Sequence, residues 1–480
     1  MTVDQFETVI GLEVHVELAT ESKLFCACPN QFGAPPNTQV CPVCLGLPGT
    51  LPVVNRRAVE MLVLAGRATG CTIAEFSKFD RKNYFYPDMP KNYQISQYDL
   101  PLAAGGHIDL EGKRVGITRI HLEEDTGKST HMGASGRLGG SDFTLVDYNR
   151  AGVPLLEIVS EPDMRSPDEA HDYMVALRDI LRWIGVSDCK MEQGSLRCDA
   201  NVSIRPVGSE KLETRTEIKN MNSFKSVRAA IASEVERQTA IRREGGRIVQ
   251  ETRGWDEARG VTISMRSKEE AQDYRYFPDP DLLPLTLTRE RIAEVDRSLP
   301  ELPAARARRY QQSFGLSGED AGLLVQSRAL SEFFEETVAR GADGKSACNW
   351  LNNEVARLAG EAGHGVEESS LTPATLAEVI ALVSGGTVSN RGGRTLVEHL
   401  FKHGGAPSAL VQELGLAQVS DREGLMVEVR AVIDEQATAV SEYRSGKEKA
   451  LNSLVGQVMK RTKGKANPEL VKQLLLEALG

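Results

Sequence analysis

The first part of the chain alternates apolar and polar positions in short runs, the pattern of half-buried β-strands. Thr8–Leu18 and Val115–Leu122 alternate with a period of two, and Gly and Pro turns separate such runs up to about residue 290. Helices intervene: Ser166–Ile184 opens with a serine N-cap and Pro167, and Gly185 closes it. Because strands and helices alternate irregularly, the sequence predicts an α+β fold rather than a doubly wound α/β fold.

Beyond about residue 295 the strand patterns fade and helical spacing takes over. The predicted helices are Asp320–Arg340, Ala347–Ala359 and Pro468–Leu479. The predicted turns lie at the glycine pairs Gly385–Gly386, Gly392–Gly393 and Gly404–Gly405. We therefore expect three domains, over residues 1–293, 294–406 and 407–480.

Composition adds a class of protein to this picture. A chain of 480 residues is too long for one core, and 41% hydrophobic with 26% charged residues is typical of globular protein. No apolar run approaches the ~20 residues that span a membrane. The N-terminus lacks the basic and apolar regions of a signal peptide, so we expect a cytoplasmic protein without a membrane partner.

Charge is unevenly distributed along the chain. Residues 441–480 carry eight Lys or Arg and four Glu, a net charge of +4. Because the whole chain has a net charge of −10, residues 1–440 have a net charge of −14. A basic C-terminal segment on an acidic body favours a polyanionic partner at that end. The alternative is a solvated helical face with surplus lysines.

Four of the eight cysteines form two short pairs, separated by twelve residues. They are Cys26, Cys28, Cys41 and Cys44. Two close pairs across a Gly/Pro-rich loop are typical of a tetrahedral Cys₄ zinc site, which would be structural because no coordination position stays open. Disulfides are the alternative, and a reducing cytoplasm disfavours them.

Acidic residues occur inside predicted strands, where a carboxylate is costly unless something pairs with it. Glu157 lies in the apolar run Val153–Val159, and Glu13 and His15 share one face of the first strand. If such acids converge, their oxygens suit Mg²⁺ or Mn²⁺ and phosphate chemistry. The alternative is that each has a local partner, Arg150 for Glu157 and the nearby basic residues for the others. The further acids are Glu123, Glu124, Asp199 and Glu217, and their candidate local partners are Arg197, Arg215 and Lys219.

A basic and aromatic stretch, Lys78–Gln97, suits stacking on bases and contacts with phosphate. A turn-rich strand pair is the alternative. The chain has no P-loop and no kinase glycine-rich loop, so a nucleotide would bind in another way.

These segments together resemble the B-subunit family of the tRNA-dependent amidotransferases (GatCAB), and the resemblance covers essentially the whole chain. The matching segments are Val9–Glu17, the cysteine pairs, Lys78–Gln97, Gly116–His131, Asp147–Asp163, Lys190–Ser203, Glu217–Phe224, Asp273–Asp281 and Gly456–Leu479. The resemblance implies a glutamine-synthetase-like catalytic cradle, an all-α domain and a small YqeY-like helical tail that grips tRNA.

The resemblance also implies a reaction. Such a carbon–nitrogen ligase uses ATP to phosphorylate the side-chain carboxylate of misacylated Glu-tRNA(Gln) or Asp-tRNA(Asn), and ammonia then displaces phosphate. The ammonia comes from glutamine hydrolysed by a separate A subunit of a heterotrimer that includes a C subunit. The cognate non-discriminating aminoacyl-tRNA synthetase is a further candidate partner. The A subunit's amidase signature is absent here, so this chain alone should lack glutaminase activity.

Site residues follow from the same resemblance. Its catalytic positions are Glu13, His15, Glu124, Glu157, Asp199 and Glu217, with Glu123 as a neighbour able to substitute. All but Asp199 are expected Mg²⁺ ligands. The expected nucleotide or substrate contacts are Lys82, Asn83, Tyr84 and Arg150. Two other functions stay open: a stand-alone Mg²⁺-dependent ligase on a small carboxylate, and a zinc-bearing tRNA-binding scaffold without catalysis.

Overall fold

The computed structural model describes residues 6–132, 141–267, 273–418, 422–447, 449–462 and 466–480. It divides the chain into two compact units, Met1–Leu302 and Pro303–Gly480. The first unit combines a large sheet with helices and the second is helical, so the predicted α+β class is confirmed. Among the described residues, no helix is long and apolar enough to cross a membrane.

The first unit contains the strands and four of the helices. The strands are β1 Phe6–Glu17, β2 Thr72–Ile73, β3 Phe76–Ser77, β4 Asp80–Asn83, β5 Tyr93–Ser96, β6 Ala103–Leu110, β7 Lys113–Glu124, β8 Lys128–Met132, β9 Phe143–Asp147, β10 Pro154–Ser160, β11 Leu196–Pro206, β12 Thr216–Lys219, β13 Glu251–Asp256, β14 Val261–Ser267, β15 Phe277–Pro278 and β16 Leu285–Thr286. The helices are α1 Arg56–Ala68, α2 Pro167–Trp183, α3 Phe224–Arg243 and α4 Arg289–Ser298, with a 3₁₀ turn at Met191–Gln193.

Within the described residues, twelve strands form one mixed sheet in the order β14-β13-β12-β11-β1-β10-β7-β5-β4-β15, with β6 also paired to β7 and β2 to β6. Every described pair is antiparallel except β12 with β13. Two two-stranded pairs stand apart from this sheet: the hairpin of β8 with β9, and β3 with the sequence-distant β16.

The two faces of the sheet differ in chemistry. On β1, Leu12, Val14 and Val16 are buried, whereas Glu13 and His15 lie on the opposite face. Helix α1 packs on β6 and β7, α2 on β6, and α3 on β11. Strand alternation therefore separates an apolar face covered by helices from a polar face that is open for a site.

Local sequence signals fix several elements as predicted. The Oγ atom of Ser166 accepts a hydrogen bond from the backbone N–H of Glu169 at 3.1 Å, Pro167 is the first residue of α2, and Gly185 after the helix has φ +71°. The predicted strands at Thr8–Leu18, Val115–Leu122 and Val153–Val159 correspond to β1, β7 and β10.

The second unit contains the remaining helices. They are α5 Pro303–Phe314, α6 Gly318–Leu324, α7 Arg328–Ala339, α8 Gly344–Asn349, α9 Ala356–Ala362, α10 Pro373–Ser384, α11 Asn390–His403, α12 Pro407–Glu413, α13 Arg422–Glu435, α14 Ala437–Arg444, α15 Lys449–Arg461 and α16 Pro468–Leu479. A π-helical segment, Trp350–Val355, joins α8 to α9, and a 3₁₀ turn lies at Val366–Glu368. One core runs from Tyr310 to Val411 and a separate one from Leu425 to Leu479.

Two predictions about these helices are wrong. The single helix expected at Asp320–Arg340 is two, because Ser327 caps the start of α7. The turn expected at Gly392–Gly393 lies inside α11, where a Cβ atom on Gly393 would come within 2.9 Å of the Trp350 ring. These glycines allow close helix packing and do not mark a turn.

Candidate active site

The site begins with strand register on the polar face of the sheet. In neighbouring strands His15 of β1 lies opposite Glu157 of β10, and Glu157 lies opposite His121 of β7. Directly opposed residues point to the same face, so register alone brings together side chains that are distant in sequence.

Three of these side chains form a compact group. The Nε2 atom of His15 lies 3.5 Å from a carboxylate oxygen of Glu123 and 3.5 Å from one of Glu157. One ligand atom from each residue lies within 4.8 Å of the others. His121 adds contacts of 3.9 and 3.7 Å to the two carboxylates, and Arg119 one of 3.3 Å to Glu157. We call His15, Glu123 and Glu157 the acid triad.

Burial and mutual repulsion shape the charges of this group. Burial, together with the charge of Glu157, raises the pKa of the Glu123 carboxyl to about 7. Burial lowers the pKa of His121 to about 4. Burial alone would lower the pKa of His15, but Glu157 and Glu123 outweigh it, so that pKa is raised. Burial alone would raise the pKa of Glu157, but the two histidines and Arg119 outweigh it and lower that pKa.

The acid triad fits a divalent cation. Its contacts, from 3.3 to 3.9 Å, are longer than charge-assisted hydrogen bonds usually are. Nearby, Nδ1 of His121, Nε of Arg119 and Nε of Arg197 are buried without a hydrogen-bond partner in the described part of the chain, and the two arginine nitrogens are donors that do not ligate a cation. Two carboxylates and an imidazole supply suitable ligands for Mg²⁺ or Mn²⁺.

A cavity of about 380 Å³ opens beside the acid triad. His15 and Glu123 line it together with three basic side chains, and Arg197 lies directly beside His15 in the register of β1 with β11. Its basic lining residues are Lys82, Arg197 and Lys219. An acidic metal-ligand set with basic side chains in the same cavity can hold phosphate groups while neutralising their charge.

Three further predicted acids, Glu13, Asp199 and Glu217, form a second group. The carboxylates of Asp199 and Glu217 both pair with the ammonium group of Lys219, at 3.1 Å for Glu217. For Asp199 and Glu217 the structure therefore agrees with the alternative that each acid pairs with a nearby basic residue. Glu13 accepts a hydrogen bond from Asn201 at 3.0 Å, and burial, together with the charges of the neighbouring acids, raises its pKa.

Two predicted residues lie away from the acid triad. Glu124 points to the other side of β7, where it pairs with the buried Lys91 and accepts a hydrogen bond from the backbone N–H of Ile95 at 2.9 Å. Arg150 binds Asp125 at 3.5 Å and donates to the carbonyl of Thr126 at 3.0 Å. The alternative that Glu157 pairs with Arg150 is therefore wrong, since Glu157 pairs with Arg119.

The predicted nucleotide contacts divide between two roles. Lys82 and Tyr84 line the cavity. Asn83 instead donates hydrogen bonds to the carbonyls of Tyr274 and Arg275, at 3.0 and 2.8 Å. Asn83 thus holds the segment that carries Tyr274 and does not itself line the cavity.

The predicted Cys₄ group lies in the loop between β1 and α1. One sulfur atom from each of the four cysteines lies within 4.8 Å of the others. A hydrogen bond from Cys26, with the nearby charge of the buried Lys23, lowers the pKa of Cys44 to about 5. All eight cysteines lie in the described part of the chain, and none forms a disulfide. Four converging cysteine sulfur atoms fit tetrahedral zinc coordination.

The C-terminal basic segment is partly neutralised within its own fold. Arg461 pairs with Glu428 at 2.8 Å and Glu435 at 2.7 Å, and Lys447 with Glu442 at 3.0 Å. Residues 407–440 carry six acids and two arginines, a net −4 that balances the +4 of residues 441–480. The excess of basic residues is therefore confined to residues 441–480 and does not extend over the whole predicted domain 407–480.

Sequence reasoning gave no role to Arg119 or His121, and named Glu123 only as a substitute. The signal was present, because positions 119, 121 and 123 alternate with apolar residues and therefore share one face of β7. Tyr274 and Gln94 also line the cavity, and the sequence points to them only as members of the segments Asp273–Asp281 and Lys78–Gln97.

Comparison with known proteins finds two matching family models. The model described as the GatB/GatE catalytic domain matches residues 8–293, and that described as the GatB domain matches residues 332–479. Together they span most of the chain.

Several curated relatives match along their whole length. The protein of Caldanaerobacter subterraneus subsp. tengcongensis is 53% identical over 479 residues, which is 99% of each chain. That of Moorella thermoacetica is 54% identical over 479 residues, 99% of this chain and 100% of the relative. That of Brevibacillus brevis is 51% identical over 481 residues, 99% of each. All three are named as the B subunit of an aspartyl/glutamyl-tRNA(Asn/Gln) amidotransferase.

Proposed function

Since the chain belongs to the GatB/GatE family of amidotransferase subunits, we propose that its first unit amidates the side chain of glutamate or aspartate carried by tRNA, in an ATP-dependent ligase reaction. The observation that carries this proposal is the convergence of the acid triad on a cavity lined by Lys82, Arg197 and Lys219. This combination suits phosphoryl transfer to a carboxylate without a P-loop.

The reaction has two steps. An oxygen of the tRNA-bound carboxylate attacks the γ-phosphorus of ATP, and the bond from that phosphorus to the bridging oxygen breaks, which releases ADP. Ammonia then attacks the carbonyl carbon of the acyl phosphate, the bond to the phosphate oxygen breaks, and the nitrogen loses a proton to solvent. Phosphorylation is needed because a free carboxylate has no good leaving group.

The chain's own residues have distinct tasks in this scheme. His15, Glu123 and Glu157 would hold Mg²⁺, which when bound neutralises phosphate oxygens. Lys82 and Arg197, which line the same cavity, would bind phosphate oxygens beside the metal ligands, with Arg197 held by its ion pair with Asp125. Preorganised cations of this kind stabilise charge that develops on the transferred group.

The test is amidation of Glu-tRNA(Gln) by the reconstituted complex with ATP, Mg²⁺ and ammonium chloride as the nitrogen source. Glu157→Ala should lower the rate by about a hundred-fold or more, because a metal ligand and its transition-state interactions are lost. Binding of tRNA should be unchanged. Glu7→Gln is the matched control, since Glu7 lies on the same sheet but pairs with Arg205 at 2.6 Å.

Full activity of the Glu157→Ala complex would move the chemistry elsewhere and favour the scaffold function. Amidation of free glutamate without tRNA would instead favour the stand-alone ligase. Glutamine should replace ammonium only when the A subunit is present, because the amidase signature is absent from this chain.

We also propose that the Cys₄ group holds a structural zinc ion. Its support is the convergence of the four sulfur atoms beside a buried lysine. Cys41→Ser should lower the zinc content, measured by metal analysis of the purified complex, and lower the melting temperature. Cys71→Ser is the control, because Cys71 is buried outside this group and its loss should leave the zinc content unchanged.

The partners follow the same proposal. We propose A and C subunits, tRNA(Gln) or tRNA(Asn), and a tRNA contact through exposed lysines of the C-terminal helices, such as Lys449 and Lys460. Changing both lysines to glutamate should raise KM for tRNA with little change in kcat, and the effect should shrink as salt is added.

A further inference from the structure

An aromatic group lies beside the cavity and has no task in the scheme above. The rings of Tyr98 and Tyr276 stack with centroids 4.0 Å apart and planes 13° from parallel. Tyr274 meets Tyr276 edge-on at 6.2 Å. We call Tyr98, Tyr274 and Tyr276 the aromatic wall.

The aromatic wall is continuous with the candidate active site. Tyr274 lines the same cavity as His15 and Glu123. Burial, with the charges of Glu123 and Glu157 nearby, raises the pKa of Tyr276. Lys82, from the basic lining, has its ammonium group 4.8 Å from the centre of the Tyr274 ring. Rings, fixed cations and the acid triad therefore form one surface.

The wall is held in place by an unusual backbone. Arg275, between two of the tyrosines, has φ +43°, which is uncommon for a residue with a side chain. The side chain of Asn83 secures this turn by donating to the carbonyls of Tyr274 and Arg275. Strained residues held by their surroundings cluster at binding sites.

One end of the wall is open to a ligand. Tyr98 is 54% exposed although its other face packs on Tyr276. An exposed ring in a rigid stack loses little freedom when a second flat ring is laid on it. Bases bind such platforms readily, with affinity that depends little on hydrogen-bond readout.

We propose that the aromatic wall is an adenine-binding site in which the base stacks on Tyr98. This inference rests on the proposed function, whose reaction brings two adenines to the cavity: that of ATP and that of the 3′-terminal adenosine of tRNA. Both sources share the same stacking chemistry, and Tyr276 and Tyr274 connect the stacking ring to the cavity. Asn83 acts as a positioning residue for the wall.

The test measures ammonium-dependent amidation by the reconstituted complex with Tyr98→Ala and Tyr98→Phe. Loss of the stacking ring should raise one KM by about ten-fold with kcat little changed, since stacking on an aromatic ring contributes about that factor. Tyr98→Phe, which keeps the ring, should behave as wild type. Phe76→Ala is the matched control, because Phe76 is similarly exposed at 52% but lies on β3, in the separate β3–β16 pair.

The two substrates identify the source of the adenine. A rise confined to the KM for ATP assigns the wall to the nucleotide, and a rise confined to the KM for tRNA assigns it to the 3′ end. Unchanged KM values for both in Tyr98→Ala would overturn the proposal, as would a loss that Tyr98→Phe does not restore. Failure of the proposed function is distinguishable, because wild type would then show no ATP-dependent amidation at all.

Discussion

Two buried glutamates of the first unit, Glu234 and Glu123, have opposite surroundings. Glu234 of α3 is fully buried and accepts two hydrogen bonds from Arg237, at 2.6 and 2.9 Å. Gln238 and Thr262 each add one at 2.9 Å. Glu123 is equally hidden, but its contacts with His15 and His121 are 3.5 and 3.9 Å long.

The two surroundings shift the pKa values of the two glutamates in opposite directions. Burial acts to raise the pKa of Glu234, but the donors around that carboxylate outweigh it and lower the pKa. Burial and the charge of Glu157 raise the pKa of Glu123. A carboxylate that stabilises the fold has its hydrogen bonds supplied by the protein, whereas a carboxylate of a binding site often has weak contacts and a raised pKa. The comparison therefore distinguishes carboxylates that stabilise the fold from carboxylates suited to binding a ligand.

The sharpest way to break this comparison is to remove each carboxylate and follow stability. Glu234→Ala should lower the free energy of unfolding by about 3–5 kcal/mol, because the buried Gln238 and Thr262 and the half-buried Arg237 all lose their acceptor. Glu123→Gln in metal-free buffer should change it little, since no strong bond is lost and a repulsion is relieved. Denaturant titration of both variants in EDTA measures the contrast.

Tyr173 supplies a control for the loss of a buried polar group that makes no hydrogen bond. It is as buried as Glu234, and its hydroxyl has no partner among the described residues. Tyr173→Phe should therefore be close to neutral. Equal losses for Glu234→Ala and Glu123→Gln would show that the two glutamates contribute alike to the fold.

The next effect concerns Mg²⁺. If the ion binds only the folded protein, a concentration one hundred times its dissociation constant adds about 2.7 kcal/mol of stability. Wild type should show this gain in thermal or chemical unfolding, and Glu123→Gln should lose it. The Glu234→Gln variant should keep the stability gained from Mg²⁺, because Glu234 is a buried glutamate outside the acid triad. A full gain in Glu123→Gln would remove that residue from the metal site.

Sequence reasoning reached the two regions unevenly, for a physical reason. The Cys₄ group could be predicted because its ligands lie within nineteen residues of one another, so spacing alone brings them together. The acid triad joins β1, β7 and β10, and the register that aligns His15 with Glu157 is set by the whole sheet. The resemblance to a family supplied what spacing could not.

The same limit explains the misplacements. Glu123 and Glu124 are adjacent, and only the pleat of β7 decides which one faces the site. Glu234 was not singled out at all, because its donors come from its own helix and from the distant β13 and β14. Helix starts such as that of α2 were predictable, since a cap depends on three or four neighbouring residues.

The smallest effect tests the charge of Glu234 rather than its size. Its folded pKa is lowered from the ordinary value of 4.5, so its contribution is fully present above that value and is lost as pH falls through the folded pKa. Glu234→Gln keeps the shape but not the charge, and should cost about 1.5 kcal/mol at neutral pH. Urea titrations from pH 7 to pH 3 should show this difference as constant down to about pH 4.5 and shrinking below it. If the difference in free energy of unfolding instead grew in acid, the ionised carboxylate would destabilise the folded state. Glu234 would then resemble the acids of the acid triad.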